Sequence, residues 1–395
     1  MKRKFNPEQS HKLIALTHIM AGLYIHFPFC KQACHYCNFY FSTNPKNQNE
    51  ILNSIKVELK LRKKELTGSI ESIYFGGGSP SLIKPKVVEE IIKFISSHYQ
   101  LAASVETTLE VNPDDVSKEY LEGLRTAGIN RLSLGIQSFH EKELKMMNRA
   151  HNLNQALESI TWISKLFDNF SIDLIYGIPY SSLASWEDNI LKALSFNPPH
   201  ISSYALTVEP KTALAHQIEK NTLDLLDEEL VKDQYDLLLK KLEEKGYENY
   251  EFSNFGKPGF HSVNNSNYWN GKPYLGIGPA AHSFDGNKKR SWNVSNNSLY
   301  LKSIKEGKLN NETELLSQVD LYNEYVMTGL RTIWGISKEK VTDVFGTHFS
   351  DYLEKQAEKY LITNELYWDG DFLKITKKAK FLSDGIASDL FMLKA

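Results

Sequence analysis

Three cysteines, Cys30, Cys34 and Cys37, constrain this chain more than any other feature. They lie in the run CKQACHYC, and the 395-residue sequence has no other cysteine. A cubane iron–sulfur cluster is ordinarily held by four cysteine thiolates, so the spacing C-x3-C-x2-C accounts for three of its irons. The fourth iron needs another ligand, and an open metal position is typical of a site that binds a small molecule. The spacing therefore predicts a 4Fe–4S cluster with one open iron.

Two other uses of the three thiols compete with this interpretation. The stronger is a structural zinc site, in which His26 or His35 supplies the fourth ligand. The weaker is a disulfide framework, because an odd number of cysteines in a short loop leaves one thiol unpaired. Stoichiometric zinc without iron or sulfide in anaerobically purified protein would decide for the first alternative.

Composition excludes several classes of protein. The hydrophobic share of 41% and the charged share of 24% are ordinary for a globular chain. A net charge of −2 makes nucleic acid an unexpected main partner. No apolar run approaches the roughly 18 residues that a membrane span needs. We expect a cytoplasmic protein, because free thiols and iron–sulfur clusters both require a reducing compartment, and we expect residues 1–19 to form a poorly ordered tail.

From Gly22 onward, short apolar runs alternate with amphipathic stretches, which predicts an α/β fold with a parallel sheet. The predicted strands are 22–27, 72–78, 107–113, 131–139, 171–179 and 200–210. The predicted helices are 49–66, 84–99, 118–127, 154–167, 186–196 and 227–245, with Ser185 as the cap of the fifth. Six such units predict a partial (β/α)6 TIM-like barrel over residues 20–285.

Distinctive residues mark the ends of the predicted strands, where a barrel places its active site. Glycines at 76–78 end the second strand and allow the backbone to approach a ligand closely. Glu110 ends the third strand, where a carboxylate can accept hydrogen bonds from two ribose hydroxyl groups. Asp173 lies inside an apolar strand and is costly to bury unless it binds a ligand or pairs with a partner such as Arg149.

These stretches resemble the radical S-adenosylmethionine superfamily and, within it, the HemN/HemW group. The similar runs are YIHFPFCKQACHYCNF, YFGGGSPS, LEVNP, GIQSF, DLIYGIP, SSYALTVEP and GIGPAAHS, and the resemblance extends over residues 20–395. It implies that Cys30, Cys34 and Cys37 hold the cluster and that S-adenosylmethionine occupies the open iron, where it can yield a 5′-deoxyadenosyl radical. The implied S-adenosylmethionine contacts are Tyr24, Tyr36, Gly77, Gly78, Ser79, Glu110, Gln137, Arg149, Asp173 and, more weakly, Ala205.

One position separates the two activities known in this group. The oxygen-independent coproporphyrinogen III dehydrogenases carry a fourth cysteine, C-x3-C-x2-C-x-C, whereas this chain has Phe39 there. The phenylalanine favours the heme chaperones, which bind heme and transfer it to apo-hemoproteins. Anaerobic dehydrogenation of coproporphyrinogen is the alternative activity. The resemblance also implies an electron donor to the cluster, and it allows association with membrane hemoproteins although no membrane segment is expected.

Chaperones of the group carry an HNxxYW motif that is linked to heme binding. The corresponding run here is NNSNYW, so Asn264 replaces the histidine, and an amide is a poor iron ligand. His261 and His282 are the candidates to replace it. Tyr268 and Trp269 are candidates to stack on a porphyrin, although packing is an equally common use of such a pair.

The last part of the chain is predicted to form a second unit. Residues 286–313 are rich in Asn, Lys and Ser and predict a linker. Residues 314–395 predict a small α+β, winged-helix-like domain, in which Asp369-Gly370 forms the turn of a hairpin. We expect this domain to act as a lid or docking face, because the charge balance argues against DNA binding. Its predicted helices are 320–333, 338–345, 349–359 and 377–390.

Overall fold

The computed structural model describes residues 20–66 and 68–393, and the predicted tail at 1–19 lies outside them. Within these residues, six parallel strands form the centre of a twelve-stranded sheet and pair in sequence order. They are β1 (Met20–Phe27), β2 (Ser69–Gly77), β3 (Leu101–Val111), β4 (Arg131–Gln137), β5 (Phe170–Tyr176) and β6 (His200–Ala205). Each overlaps one predicted strand, so the α/β fold with six parallel barrel strands is confirmed.

Helices follow these strands in the chain, and the longer, amphipathic ones cover the outer face of the sheet. The helices are α1 (Gln48–Leu61), α2 (Pro85–His98), α3 (Lys118–Ala127), α4 (Glu141–Met146), α5 (Leu153–Leu166), α6 (Leu183–Ser195), α7 (Ala213–Glu219) and α8 (Glu228–Glu243). In α2, the fully buried Val88, Ile91 and Ile95 follow the spacing of one helix face.

The prediction that Ser185 caps α6 is wrong, because the helix begins a turn earlier and the hydroxyl oxygen of Ser182 accepts from Ser185 N at 3.1 Å.

Successive side chains along a strand point to opposite faces of the sheet. Here the outer face is apolar and the face toward the barrel interior is more polar. In β1, Leu23 and Ile25 are fully buried in the apolar core, whereas Tyr24 between them stacks on Tyr74 with ring centres 6.0 Å apart. In β5, Asp173 lies between two fully buried apolar residues in the same way. The barrel interior is therefore lined with groups that can bind a polar ligand.

Further strands extend both edges of the parallel sheet. At the β6 edge lie β7 (Glu248–Glu251) and β8 (Asn254–Gly256), followed in the chain by α9 (Val263–Trp269). At the β1 edge lie β9 (Tyr274–Ile277), β10 (His282–Phe284), β11 (Lys289–Asn293) and β12 (Asn311–Leu315), with α10 (Asn297–Lys305) between the last two. Residues 286–313, for which composition predicts a linker, thus belong to the edge of the barrel sheet.

A buried carboxylate on α1 attaches this extension to the barrel. Glu58 accepts hydrogen bonds from Asn293 Nδ2 and the Tyr300 hydroxyl group, both at 2.7 Å, and from Gly278 N at 2.8 Å. Arg62 pairs with the same carboxylate at 3.2 Å, and both charged side chains are almost completely buried. These contacts fix a segment whose exposed surface is polar enough to resemble a linker.

The C-terminal unit packs around an apolar cluster of its own that includes Tyr322, Val326 and Leu353. Its elements are α11 (Gln318–Arg331), β13 (Ile336–Ser337), α12 (Lys338–Phe345), α13 (Thr347–Ile362), β14 (Leu366–Asp369), β15 (Phe372–Ile375) and α14 (Ser383–Asp389). The predicted hairpin joins β14 to β15, and Gly370 adopts the positive φ of +60° that its turn requires. The predicted last helix is a 3-10 segment, Lys377–Leu382, followed by α14.

Candidate functional site

The cysteine loop, defined as residues 28–42, leaves the C-terminal end of β1 and returns to it. Cys30 N donates to Ser42 O at 3.1 Å, and Ser42 N donates to Pro28 O at 2.9 Å. These two hydrogen bonds close the base of the loop. The three thiols are thereby held at the end of the barrel where the parallel strands finish.

The tip of the cysteine loop packs on the turn that follows α4. His35 N donates to Met147 O at 3.1 Å, and Gln32 Nε2 donates to Asn148 Oδ1 at 2.8 Å. Asn148 Nδ2 in turn donates to Ala33 O at 2.7 Å. Protein contacts therefore define the conformation of the loop.

The surroundings of the thiols fit thiolate ligands of an iron–sulfur cluster. Arg149 Nη1 donates to Cys34 Sγ at 3.3 Å, so a cation faces the sulfur atoms. Burial raises the pKa of Cys30 to about 11, against a hydrogen bond from Ser79 that lowers it, and burial also raises the pKa of Cys37. Metal ligation requires the thiolate form, so cluster binding must displace these protons. Soft sulfur donors with one nearby positive charge suit a cluster of iron and sulfide.

The structure gives less support to a zinc site with a histidine ligand. One ring nitrogen of His26 lies 2.9 Å from Tyr40 O, and one of His35 lies 2.8 Å from Met146 O. Among residues 20–66 and 68–393, no three or more His, Cys, Asp or Glu side chains converge closely enough to hold a single ion. Neither histidine therefore completes a four-ligand zinc site with the thiols.

The glycines at 76–78 bring the backbone of β2 against the cysteine loop. A Cβ atom on Gly78 would lie 2.5 Å from Phe29 O, and Ser79 N donates to that same oxygen at 2.7 Å. Gly77 has a φ of +108°, and a Cβ atom there would lie 2.6 Å from the His26 ring. A side chain at Gly78 would collide with backbone atoms of the cysteine loop, and one at Gly77 would collide with the buried His26 ring.

Two half-buried carboxyl groups face the interior beside the glycines. Glu110 Oε1 accepts from the Tyr74 hydroxyl group at 2.8 Å. Burial raises the pKa of Glu110 to about 7, an effect that the Tyr74 hydrogen bond opposes and nearby Asp173 increases. Asp173 accepts from the hydroxyl groups of Ser133 at 2.7 Å and Ser171 at 2.9 Å, and burial raises its pKa as well. Hydroxyl groups of a ligand would be suitable further donors to such carboxylates.

Arg149 binds the cysteine end of the barrel rather than Asp173, so the pairing considered from the sequence is wrong. Its Nη2 donates to Asn112 Oδ1 at 2.7 Å and to Gly135 O at 2.9 Å, while Nη1 points to Cys34. Asp173 has serine hydroxyl partners instead. Arg149 and Asp173 therefore do not form an ion pair, and each borders the site with its own partners.

A cavity of about 860 Å³ joins these features, a volume near the upper end of the range for ligand sites. Its wall includes the three cysteines together with Tyr36, Gly77, Gly78, Ser79, Glu110, Gln137, Arg149, Asp173 and Ala205. Gln137 has a positive φ of +67°, an unusual conformation that is common at functional sites. Tyr24 is the one predicted contact outside the wall; it lies behind Gly76, where a Cβ atom would approach its ring to 2.9 Å.

Sequence reasoning missed several residues of the cavity wall. Asn112 connects two parts of the site, because it accepts from Arg149 and its Nδ2 donates to the Ser79 hydroxyl oxygen at 2.8 Å. Asn112 follows Glu110 by two residues in the run LEVNP, and this proximity is the sequence signal that could have identified it. Arg331, Phe381 and Asp384 of the C-terminal unit also line the cavity, and nothing in their local sequence indicates this.

The NNSNYW run forms α9 at the opposite end of the barrel. Its first backbone N–H groups, at Val263 and Asn264, each donate to the Glu106 carboxylate at 3.1 Å. A Cβ atom on Gly22, near the start of β1, would lie 3.9 Å from Asn264 Oδ1. Asn264 is only 5% exposed. The residue that replaces the motif histidine therefore packs inside the barrel, near the start of the strand whose far end carries the cysteines.

The two aromatic residues of this run pack differently. The Tyr268 ring meets the Tyr274 ring edge-on with centres 4.5 Å apart. The Trp269 ring lies 5.4 Å from the guanidinium group of Arg331, which lines the cavity. Trp269 is thus linked to the cavity through an arginine of the C-terminal unit.

The two histidines considered as heme ligands lie apart from the cavity wall and from each other. His261 faces Glu248 at 3.1 Å and stacks on Tyr250 with ring centres 4.3 Å apart. His282 is exposed on β10 and stacks on Trp292 at 5.8 Å. The structure does not gather the predicted heme residues into one pocket.

Comparisons with known proteins identify the family. The model for the radical SAM superfamily matches residues 24–193, and that for the HemN C-terminal domain matches residues 316–382. The heme chaperone HemW of Bacillus subtilis is 34% identical over 356 residues, which cover 87% of this chain and 93% of that protein. The chain belongs to the HemN/HemW group of radical SAM proteins. Membership implies S-adenosylmethionine and a 4Fe–4S cluster as cofactors.

Two further proteins match most of the chain, one in sequence and one in fold. The mitochondrial radical S-adenosyl methionine domain-containing protein 1 of Danio rerio is 30% identical and covers 89% of this chain and 84% of its own. Coproporphyrinogen III oxidase (HemN) of Escherichia coli has the same fold, with a TM-score of 0.81 at 20% identity, and covers 98% of this chain and 94% of its own. Across the part of the chain that the structure describes, no helix has the length and apolar character to span a bilayer.

Proposed function

We propose that this protein is a heme chaperone, which binds heme and transfers it to apo-hemoproteins. The similarity to the B. subtilis heme chaperone over 93% of that protein carries the proposal. Phe39 supports it, because the dehydrogenase pattern has a cysteine at this position. The Phe39 side chain is 68% exposed and lines the cavity, so an aromatic surface stands where the dehydrogenase pattern has a thiol.

The cysteine end of the barrel would hold both cofactors. Cys30, Cys34 and Cys37 would ligate three irons of the cluster, and the Arg149 guanidinium group would offset part of the thiolate charge. The Glu110 carboxylate would accept hydrogen bonds from ribose hydroxyl groups, as acidic residues do in nucleotide sites. When bound and reduced, the cluster would supply one electron to S-adenosylmethionine.

The proposal requires an electron donor to the cluster and an apo-hemoprotein that receives the heme, and membrane hemoproteins are compatible acceptors. The test is anaerobic reconstitution of the cluster, titration with hemin, and incubation of the complex with an apo-hemoprotein. We expect a stoichiometric hemin complex whose heme appears in the acceptor. Formation of protoporphyrinogen from coproporphyrinogen III by the reduced protein with S-adenosylmethionine would instead establish the dehydrogenase activity.

The heme iron needs an axial ligand, and we propose that one of two histidines supplies it. His261→Ala and His282→Ala form a matched pair for this test, because each removes one imidazole that stacks on an aromatic ring. Loss of the axial-ligand spectrum of bound heme in only one variant would identify the ligand. An unchanged spectrum in both would exclude the two residues.

A further inference from the structure

Three basic side chains line the cavity within the described residues, and two of them are committed to the protein. Lys31 pairs with Asp114 at 3.0 Å in front of the glycines and cysteines. Arg149 is bound to the cysteine loop and to Asn112. The third is Arg331, which enters from the end of α11 in the C-terminal unit. Arg331 makes fewer hydrogen bonds to the protein than the other two cations, so it has the most N–H groups left to donate to a ligand.

Aromatic rings hold Arg331 in place while its hydrogen-bonding capacity is only partly used. Its guanidinium carbon lies 5.1 Å from the Phe252 ring centre and 5.4 Å from that of Trp269. Nη1 donates to Asp384 at 3.2 Å, but the Asp384 side chain is 60% exposed, so this ion pair is weak. In the described part of the chain, Nε is buried without a hydrogen-bond partner. The side chain is 24% exposed and borders the cavity.

We propose that Arg331 binds a propionate carboxylate of the tetrapyrrole, and that Trp269 is a positioning residue for this contact. The inference rests on the proposed heme function and assigns one part of the heme site. A guanidinium group suits a carboxylate because it can donate two parallel hydrogen bonds. Elsewhere in the wall, the carboxyl groups of Glu110 and Asp173 would repel a propionate. The contact also explains how a tryptophan of the NNSNYW run contributes to heme binding without stacking on the porphyrin.

A second arginine provides a matched control. The guanidinium carbon of Arg290 lies 5.7 Å from the Phe284 ring centre, its Nη atoms pair with Glu324 of α11 at 2.7 and 2.9 Å, and its Nε is likewise buried without a partner among the residues described. Arg290 is not part of the cavity wall. Arg290→Gln therefore removes a comparable charge and a comparable contact to the C-terminal unit outside the cavity wall.

The experiment compares the equilibrium binding of hemin with that of hemin dimethyl ester, in which both propionates are neutral. We expect the wild-type protein to prefer hemin by at least about tenfold, the range of a hydrogen bond to a charged group. Arg331→Gln should bring the preference close to one, whereas Arg290→Gln should leave it unchanged. Trp269→Ala should lower it partly, and should add nothing to Arg331→Gln because both act on one contact.

A preference for hemin that survives in Arg331→Gln would overturn the inference, while the chaperone proposal would stand if hemin still binds and is transferred. Failure of the wild-type protein to bind hemin would overturn both. Asp384→Asn tests the site if Arg331→Gln does not fold, because it removes a carboxylate that competes with the propionate. We expect a larger preference for hemin in this variant, and an unchanged or smaller one would contradict the assignment.

Discussion

Glu106 and Glu110 lie four residues apart on β3 and face the same barrel interior, but they serve opposite ends of it. The Glu106 carboxylate accepts from Val263 N, Asn264 N and the Ser262 hydroxyl group, and it lies 3.8 Å from buried Arg131. The Glu110 carboxyl group borders the cavity with one tyrosine hydroxyl donor.

This difference separates a structural end of the barrel from a binding end. At the Glu106 end, backbone N–H groups at the start of α9 donate hydrogen bonds to the Glu106 carboxylate. At the Glu110 end, glycines keep space free and the Glu110 and Asp173 carboxyl groups border the cavity. The start of the NNSNYW run packs at the first end, whereas Trp269 contacts Arg331 of the cavity wall.

The largest effect is expected at the cysteines. Cys34→Ala should abolish incorporation of the cluster, because two thiolates remain for four irons. Iron and sulfide analysis with the visible absorption of the reconstituted protein measures this. Phe39→Ala is the matched control on the same exposed loop and should retain the cluster. Equal iron and sulfide contents in Cys34→Ala and the wild-type protein would show that the cluster lies elsewhere.

The next largest effect is expected on the free energy of unfolding, at the Glu106 end of the barrel. Glu106→Gln should lower the free energy of unfolding by about 3 kcal/mol or more, because Arg131 would remain buried without its charged neighbour. Chemical denaturation of the apo protein measures the change. S-adenosylmethionine affinity per folded, reconstituted molecule should be unchanged. A variant with normal stability and weakened S-adenosylmethionine binding would reverse the assignment of the two ends.

Glu110→Gln should show the opposite pattern. The affinity for S-adenosylmethionine should fall at least about tenfold, since hydrogen bonds to a carboxylate are replaced by weaker ones to an amide. Equilibrium dialysis with the reconstituted protein gives this value. The pair Glu106→Gln and Glu110→Gln thus tests one substitution at two ends of one strand. Unaltered affinity in Glu110→Gln would remove this residue from the cofactor site.

The last effect concerns the pH dependence of stability. The folded-state pKa of Glu110, about 7, lies above its ordinary value of 4.5, so the folded apo protein holds this proton more tightly than the unfolded chain. Its stabilising contribution is complete below about pH 4.5 and is lost as the pH rises to about 7. Between pH 5 and 8, the wild-type apo protein should lose about 1–3 kcal/mol of stability relative to Glu110→Gln. Parallel denaturation curves at all pH values would contradict the assigned pKa.

The barrel could be predicted from the sequence because its signals are local. Most of the six strands carry regularly spaced apolar residues and end at Gly, Pro or polar residues, and the cysteine spacing and the glycines mark the strand ends directly. Residues 286–313 were not recognised as sheet because β12 is largely exposed, and the buried partners of Asn293 and Tyr300 come from Glu58, more than 200 residues earlier in the chain.

The rest of the site depends on contacts between distant segments. Arg331 reaches the cavity only because α11 ends against the β7 edge, where Ile333 N donates to Tyr250 O at 3.1 Å. The place of α9 inside the barrel follows from its contact with Glu106, which lies far from it in sequence. A motif pattern identifies such residues as important, but it does not say which end of the barrel they occupy.

The central claim is that three thiolates hold a cluster whose remaining iron faces a cofactor at the Glu110 end. The most direct test is the electron paramagnetic resonance spectrum of the reduced, reconstituted protein before and after addition of S-adenosylmethionine. We predict that S-adenosylmethionine changes the cluster signal in the wild-type protein and in Glu106→Gln. A wild-type signal that saturating S-adenosylmethionine leaves unchanged would contradict the claim.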